Sequence, residues 1–364
     1  MTRLKANYTI LAIETSLDDT CAAVTVDDRV VSNVVASQVK FHEEYGGTVP
    51  HIAKRKHREW IDRTIDEALR LRSGRHQKIT DVDAVAVTYG PGLAPCLEVG
   101  IAKAKELARE WQKPLIAVNH MEGHLLSSLA KNRQGKNKIQ DLPEIRDQMP
   151  VLGFLISGGH TELVLMRGLG KYELLGETLD DAAGEAYDKV ARMLNLGYPG
   201  GPILSELAKE GDPSRYPLPE PMKHRQDLNF SFSGIKTAAL YKLRDLYQIR
   251  DLNNRQFVAD FAASFQQAVL KMLRRKFKRA LEMYQPKMVL LGGGVVSNVA
   301  IRTEARKVAN KFGVPVVIPY SPKLFTDNAA MIGVCAWYQA QRGEFVEDLG
   351  QLDRQPNLSF RTKS

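Results

Sequence analysis

The 364-residue chain predicts a duplicated α/β fold: two lobes with a cleft between them. Three observations lead there. The length suits two domains of ordinary size. Apolar residues make up 44% and charged residues 26%, enough material for two cores. The third observation is an internal repeat, in which both halves run through three strands, a helix, a strand, a helix and a final apolar strand.

In the first half, YTILAIETS is a strand, LDDT a polar turn, and CAAVTVD and VVSNVVAS the next two strands. The helical REWIDRTIDEALRL leads to the strand VDAVAVTYGPG, and PLIAVNH closes the copy. The second half answers with VLGFLIS, the turn GGHT, then ELVLMRG and KYELLGET. There the helical FQQAVLKMLRRKFKRALEMY leads to KMVLLGGGVVSN, and PVVIPYS is the last strand. The boundaries that follow are a first lobe over 1–150 and a second over 151–336, with a helical insertion at about 177–240. A helix end and tail occupy 337–364, and the helix at about 328–345 is expected to pack back on the first lobe. Residues 131–149 are polar and read as an exposed linker.

Composition narrows the function. No apolar run approaches the ~20 residues of a membrane span, so no membrane association is expected. The N-terminus lacks the apolar core of a signal peptide. Cys21, Cys96 and Cys335 are odd in number, far apart and outside any CxxC. That argues against a disulfide framework or thiolate-bound zinc, and for a reducing compartment. A net charge of +9 favours a polyanionic partner such as RNA.

Strand-end loops of such lobes gather where α/β ligands bind. They carry Asp18, Asp19 and Thr20, Ser157 to Thr161, Gly292 to Asn298, and His120. In NHMEGH, His120 and His124 stand four apart, on one face of a helical turn. The HExxH pattern of a zinc peptidase needs Glu directly after the first His. Here Met121 fills that place and Glu122 points elsewhere. Asp327 follows the last strand of the second lobe, so the repeat makes it a third partner for an N/O metal site suited to zinc or iron. The LDDT and SGGHT turns combine hydroxyls with carboxylates or glycines, which suits phosphate or a cation as well as ordinary hairpins. LLGGGVVSN is neither GxGxxG nor a P-loop, since no GK[ST] follows. Asp188 reads as a ribose contact or as part of an exposed helix face. Two basic runs, 51–60 and 271–279, suit a phosphate backbone or a solvated face.

Together, IETSLDDT, SGGHTEL, GETLDDAAGEAYDKVARMLNLGYPGGP, FSFSGIKTA, LGGGVVSN, FTDNAAMIG and NHMEGH closely resemble the TsaD family from about residue 8 to 345. The resemblance implies the duplicated actin/hexokinase-like (ASKHA) fold. It implies transfer of threonylcarbamoyl from threonylcarbamoyl-AMP, supplied by a separate synthase, to N6 of adenosine 37 in tRNAs reading ANN codons. One divalent ion per subunit is implied, zinc or iron with magnesium as an alternative, and no organic cofactor. On this resemblance His120, His124 and Asp327 match the metal ligands. Leu155, Ile156, Ser157, Gly158 and Gly159 match the substrate loop, and Asp188, Gly201 and Asn298 match contacts to the nucleotide. Ser205 falls where some relatives are acidic. Asp19, one methylene shorter than the Glu of many relatives, is the candidate proton acceptor. His51 and Lys54 depart from the family's Glu and Ser and make that helix basic. With the overall charge this points to the mitochondrial branch, a homodimer in the matrix, the cytoplasm being the alternative. The competing readings are a metallopeptidase of the O-sialoglycoprotein endopeptidase type, an ASKHA small-molecule kinase and a non-catalytic binding subunit.

Overall fold

The computed structural model describes residues 4–70, 81–137, 144–247 and 252–360. The chain divides into two compact units, Met1–Ile145 with Val317–Ser364 and Arg146–Val316. Unit 1 begins with β1 (Thr9–Glu14), β2 (Asp19–Val26), β3 (Arg29–Ser37), α1 (Pro50–Leu69), β4 (Ala84–Gly90), α2 (Ala94–Glu110), β5 (Leu115–Asn119) and α3 (His120–Leu126). Unit 2 follows with β6 (Val151–Ile156), β7 (Thr161–Gly168), β8 (Lys171–Glu177), α4 (Ala183–Met193), α5 (Gly200–Leu207), α6 (Ser233–Tyr247), α7 (Arg255–Tyr284), β9 (Met288–Gly292), α8 (Val299–Asn310) and the border strand β10 (Val316–Val317). The chain then returns to unit 1 with α9 (Ala329–Arg342).

The two sheets have the same order, β3-β2-β1-β4-β5 and β8-β7-β6-β9-β10. In each, the first strand pairs antiparallel with the second and parallel with the fourth. The duplication read from the sequence is therefore present in the topology. Central strands are covered on both faces and so read as unbroken apolar runs; β1 (TILAIE) and β6 (VLGFLI) are buried at every residue. Edge strand β3 is mostly half-exposed. The final strand expected in PVVIPYS shrinks to two residues, because Pro315 and Pro319 flank it and cannot donate to a ladder.

One expectation needs correction. The repeat placed Asp327 in the second lobe, but residues 317–364 belong to unit 1. The reason is α9: its AAMIGVCA segment is buried on all sides against the unit 1 sheet and α3, as a helix apolar all round must be. The irregular segment after α9 is tied to the same unit. Val346 N donates to Leu115 O (2.8 Å) and Gln355 N to Tyr89 O (2.7 Å). Of the linker expected over 131–149, residues 138–143 lie outside the described residues, as do 361–364 of the tail. No described helix is long and apolar enough to cross a membrane.

Candidate functional site

In unit 1 the chemistry gathers at the carboxyl ends of the parallel strands, where α/β proteins bind ligands. Chain reversal after β5 puts His120 at the first position of α3. Asn119 caps that helix, its side chain accepting from Met121 N (2.8 Å). Asn328 caps α9 in the same way, accepting from Met331 N (3.0 Å), and Asp327 stands just before it. Gly123, between the two histidines, lies where these helix starts meet. A Cβ there would lie 2.9 Å from Ile332 Cδ1, so glycine lets α3 press against α9.

The result is a triad. His124 Nε2 lies 3.1 Å and His120 Nε2 3.4 Å from Asp327 Oδ1. The rings meet edge to face, 4.6 Å between centroids. One ligand atom from each of the three residues falls within 4.8 Å of the others. Both histidines are buried, while Asp327 is partly open. Behind them is a residue the sequence pattern does not single out, Glu14, fully buried at the end of β1. Its Oε2 faces His120 Nδ1 at 3.1 Å and also accepts from the Thr88 hydroxyl; Oε1 accepts from Ser16 N. Ser16 Oγ lies 3.2 Å from the same Nδ1. The available signal was a carboxylate closing an otherwise apolar buried strand.

Burial opposes a charge on His120, but the carboxylates of Asp327 and Glu14 outweigh it and raise its pKa to about 10. Burial likewise opposes ionisation of Asp327 and Glu14; the His120 charge overcomes it and holds both below the usual carboxylate range. Burial lowers His124, so its ring is neutral near pH 7. The donor set fits a divalent ion on two grounds. Two imidazoles and a carboxylate form an N/O set, and His120 is steered through its far nitrogen, as metal-bound histidines usually are. His124 Nδ1 is buried without a hydrogen-bond partner. Glu122, the carboxylate of the NHMEGH run, reaches Arg342 on α9 (3.4 Å).

Asp18 and Asp19 occupy the β1–β2 turn of the same unit. Burial, with help from Asp327, pushes Asp18 up to about 6. Burial pushes Asp19 up to about 7 despite a hydrogen bond from Ser37, with Asp18, Asp327 and Glu14 adding to the rise. Asp19 Oδ1 is buried and unpartnered. The turn is pegged from beneath by buried His57, whose Nε2 faces Leu17 O (3.0 Å) and whose Nδ1 faces Thr20 Oγ1 (2.8 Å).

In unit 2 the predicted residues form a second group. Leu155 and Ile156 are fully buried at the end of β6, so only their main chain can serve a ligand. Ser157 turns the chain, its Oγ accepting from His160 N (3.0 Å). Gly158 and Gly159 are exposed, and a Cβ at either would meet nothing within 4 Å. Packing therefore does not require these glycines, whereas close approach of a ligand would. Gly293 differs: its φ is +94°, and a Cβ would meet Ile156 O at 2.5 Å. It seats the turn after β9 against the end of β6. Asp188 Oδ1 accepts from Gly201 N (2.7 Å), which joins those two residues; burial raises the Asp188 pKa. Asn298 serves the fold, its Oδ1 capping α8 through Ala300 N (2.9 Å) and its Nδ2 donating to Gln266 (2.8 Å). Ser205 Oγ donates to Pro202 O (3.0 Å) within α5.

These features define a duplicated α/β protein with a His–His–Asp cluster at the strand ends of one unit and a glycine-hydroxyl turn at those of the other. Residues 29–334 match the family TsaD: tRNA N6-adenosine threonylcarbamoyltransferase. Curated relatives bearing that name include one from Thermomicrobium roseum, 46% identical over 92% of each chain. Another, from Clostridium perfringens, is 43% identical over 96% of this chain and 97% of its own. A third, from Moorella thermoacetica, is 45% identical over 94% of this chain and 95% of its own. The chain belongs to the TsaD family. Its fold is shared more widely. Full-length HypF in its phosphate- and nucleotide-bound form matches with TM-score 0.55 and 14% identity over 93% of this chain, which spans about half of HypF (47%). The activator of 2-hydroxyisocaproyl-CoA dehydratase from Clostridium difficile matches with TM-score 0.50 and 12% identity, over 92% of this chain and 96% of its own.

Proposed function

We propose that this chain transfers a threonylcarbamoyl group to N6 of an adenosine in tRNA, with threonylcarbamoyl-AMP as donor and adenosine 37 of ANN-reading tRNAs as acceptor. The observation that carries the reading is the convergence of His120, His124 and Asp327 in a chain matched to the family across 29–334. The donor is a mixed anhydride, already activated, so no nucleoside triphosphate is spent at this step. A divalent ion held by His120 Nε2, His124 Nε2 and one Asp327 oxygen would polarise a carbonyl oxygen.

The other roles fall to side chains and main chain. Glu14 and Ser16 hold the far side of His120, with Thr88 donating to Glu14 behind it, which keeps Nε2 turned toward Asp327. Adenine N6 is a weak nucleophile, so orientation and proton removal matter. Asp19, at about 7, is tuned to accept that proton near neutral pH. In unit 2 the open main chain of Ser157 to Gly159 suits the phosphate of the adenylate. The Asp188 carboxylate, already holding Gly201 N, suits a ribose hydroxyl through its other oxygen.

The test supplies threonylcarbamoyl-AMP and an unmodified ANN-decoding tRNA and measures the modified nucleoside by mass spectrometry. Wild type forms it and His120→Ala loses it. Metal-dependent cleavage of a glycoprotein would favour the peptidase reading, and ATP consumption with a sugar and no tRNA the kinase reading. A mitochondrial homodimer is a finer proposal, supported by the net charge of +9 and by His51 and Lys54 on α1. The relatives compared above are bacterial and lend it nothing. A monomeric mass at micromolar concentration would count against the homodimer.

A further inference from the structure

We propose that the outer face of α8, carrying Arg306, Lys307 and Lys311, is a surface of unit 2 on which the tRNA phosphate backbone rests. The proposal builds on the tRNA-transferase reading. It starts from a contrast between three basic helices, two of which the sequence had marked.

The basic run on α1 is interleaved with acids. Lys54 pairs with Glu98 (2.7 Å), Arg55 and Lys56 with Glu59 (3.9 and 2.7 Å), and Asp62, Asp66 and Glu67 lie further along the helix. The run on α7 is committed to the fold. Lys276 is fully buried and donates to Asp227 Oδ1 (3.1 Å) and Arg225 O (3.3 Å). Arg275 pairs with Glu220 (2.7 Å), Lys278 with Glu282 (3.2 Å) and Arg274 with Glu304 (3.6 Å). Each run spends most of its charge at home, leaving one exposed cation without a carboxylate partner among the described residues, Arg58 in the first and Lys271 in the second.

The α8 helix does not. Arg306, Lys307 and Lys311 are exposed, and among the described residues none has a carboxylate partner. The one acid on α8 is Glu304, and it is turned to Arg274 of α7. Positions 302 and 306 are like charges at i,i+4, as are 307 and 311, an arrangement that destabilises a helix unless an outside anion relieves it. Arg302 feels the crowding: burial and the Arg306 charge lower its pKa. Cations near a helix C-terminus complement the helix dipole, which accounts for Lys307 and Lys311. It does not account for Arg302 and Arg306, which sit earlier. Arg302 also ties the row to the nucleotide group, because its Nη1 donates to Ser297 O (2.7 Å) in the turn after β9. From 306 to 311 the three free cations span about 7.5 Å along the helix and fan about 140° around it, so they present a broad basic face to an extended polyanion.

The experiment measures binding of an unmodified ANN-decoding tRNA transcript by anisotropy across a potassium chloride series. It compares wild type, the triple variant Arg306→Ala/Lys307→Ala/Lys311→Ala and a control, Arg55→Ala/Arg58→Ala/Arg63→Ala on α1. All substituted side chains are exposed, and matching circular dichroism and melting confirm folding. The α8 variant is expected to bind roughly tenfold or more weakly near physiological salt, with a log–log salt slope shallower by about two to three, one per lost phosphate contact. Its KM for tRNA rises while turnover at saturating tRNA holds, and the α1 control changes less. An α8 variant with wild-type affinity and slope overturns the proposal, as does a loss confined to binding of anionic lipid vesicles. If wild type binds tRNA through this row yet never forms the modified nucleoside, the transferase reading fails and the surface stands.

Discussion

Replacing Glu14 by Gln tests how the metal centre is tuned. In the metal-free protein His120 titrates at about 10, so a metal ion must displace its proton at neutral pH. Three pH units at about 1.4 kcal/mol each make that a cost of about 4 kcal/mol at pH 7. His124 is neutral there and Asp327 ionised, so one proton should leave per ion bound. The sign follows: the logarithm of metal affinity rises by about one per pH unit from pH 7 toward 10, then levels. Glu14→Gln removes one of the two anionic neighbours of His120, so its pKa falls and the plateau begins at lower pH. The variant also loses an acceptor for Nδ1–H, Thr88 or Ser16 N, a support for the ligand whose loss typically weakens metal binding 10–100-fold, about 1.4–2.7 kcal/mol. Wild type and variant should therefore differ most at high pH and converge toward neutrality, where the cheaper proton offsets the poorer support. Chelator competition between pH 6.5 and 9.5, with calorimetry in buffers of different ionisation enthalpy to count protons, reads this out. A wild-type affinity flat between pH 7.5 and 9, with no proton released, would refute the reasoning.

Two glycines of unit 2 should part company. Gly293→Ala must strain a positive φ and push against Ile156 O, costing about 2 kcal/mol or more and several degrees of melting temperature; Gly158→Ala, in open space, should leave melting unchanged and raise KM for the adenylate donor. Lys276→Met strips Asp227 of a buried cation, and because that carboxylate is one-third exposed the loss is discounted to about 2 kcal/mol, read by urea unfolding. Burial lowers the pKa of His57 and His42, so the unfolded chain binds protons more readily; the stability from their neutral forms is complete above about pH 6.5 and drains as pH falls below it. His57→Phe should flatten part of that acid limb in thermal scans and also lower turnover, because Leu17 and Thr20 lose the peg beneath Asp18 and Asp19.

The strand pattern was legible because the duplicated sheets leave apolar runs that only buried strands need, as in TILAIE and VLGFLI. The histidine pair was legible from its spacing. The unit that supplies Asp327 was not, because the repeat says which strand ends correspond but not that α9 is too apolar to stay with the second sheet. Glu14 was missed for a related reason: a carboxylate after five buried residues looks like the end of a strand, and only the fold brings it to His120. Asn298 shows what a motif match leaves out, since both ends of its amide also serve the fold, through α8 and Gln266. The basic runs stay open in sequence between a phosphate backbone and a solvated face, because linear charge counts omit partners from elsewhere, such as Asp227 and Glu220.

Aligning the two units strand by strand shows how one backbone came to hold two chemistries. The last residue of the first strand is Glu14 in unit 1 and Ile156 in unit 2, and the second strand opens on Asp19 in one and Thr161 in the other. In both, a glycine past the fourth strand folds tightly onto that corner: a Cβ at Gly92 would meet Ser16 O at 2.6 Å, and one at Gly293 would meet Ile156 O at 2.5 Å. The corner is thus kept by main-chain contact, which leaves its side chains free to diverge. Unit 1 uses them for carboxylates that charge His120 and lift Asp19 toward neutrality. Unit 2 uses hydroxyls and bare glycines, with no carboxylate at the matching positions to repel a phosphate. On the proposed function the division of labour follows from charge, since the carboxylates that suit a cation in unit 1 would repel an adenylate phosphate in unit 2.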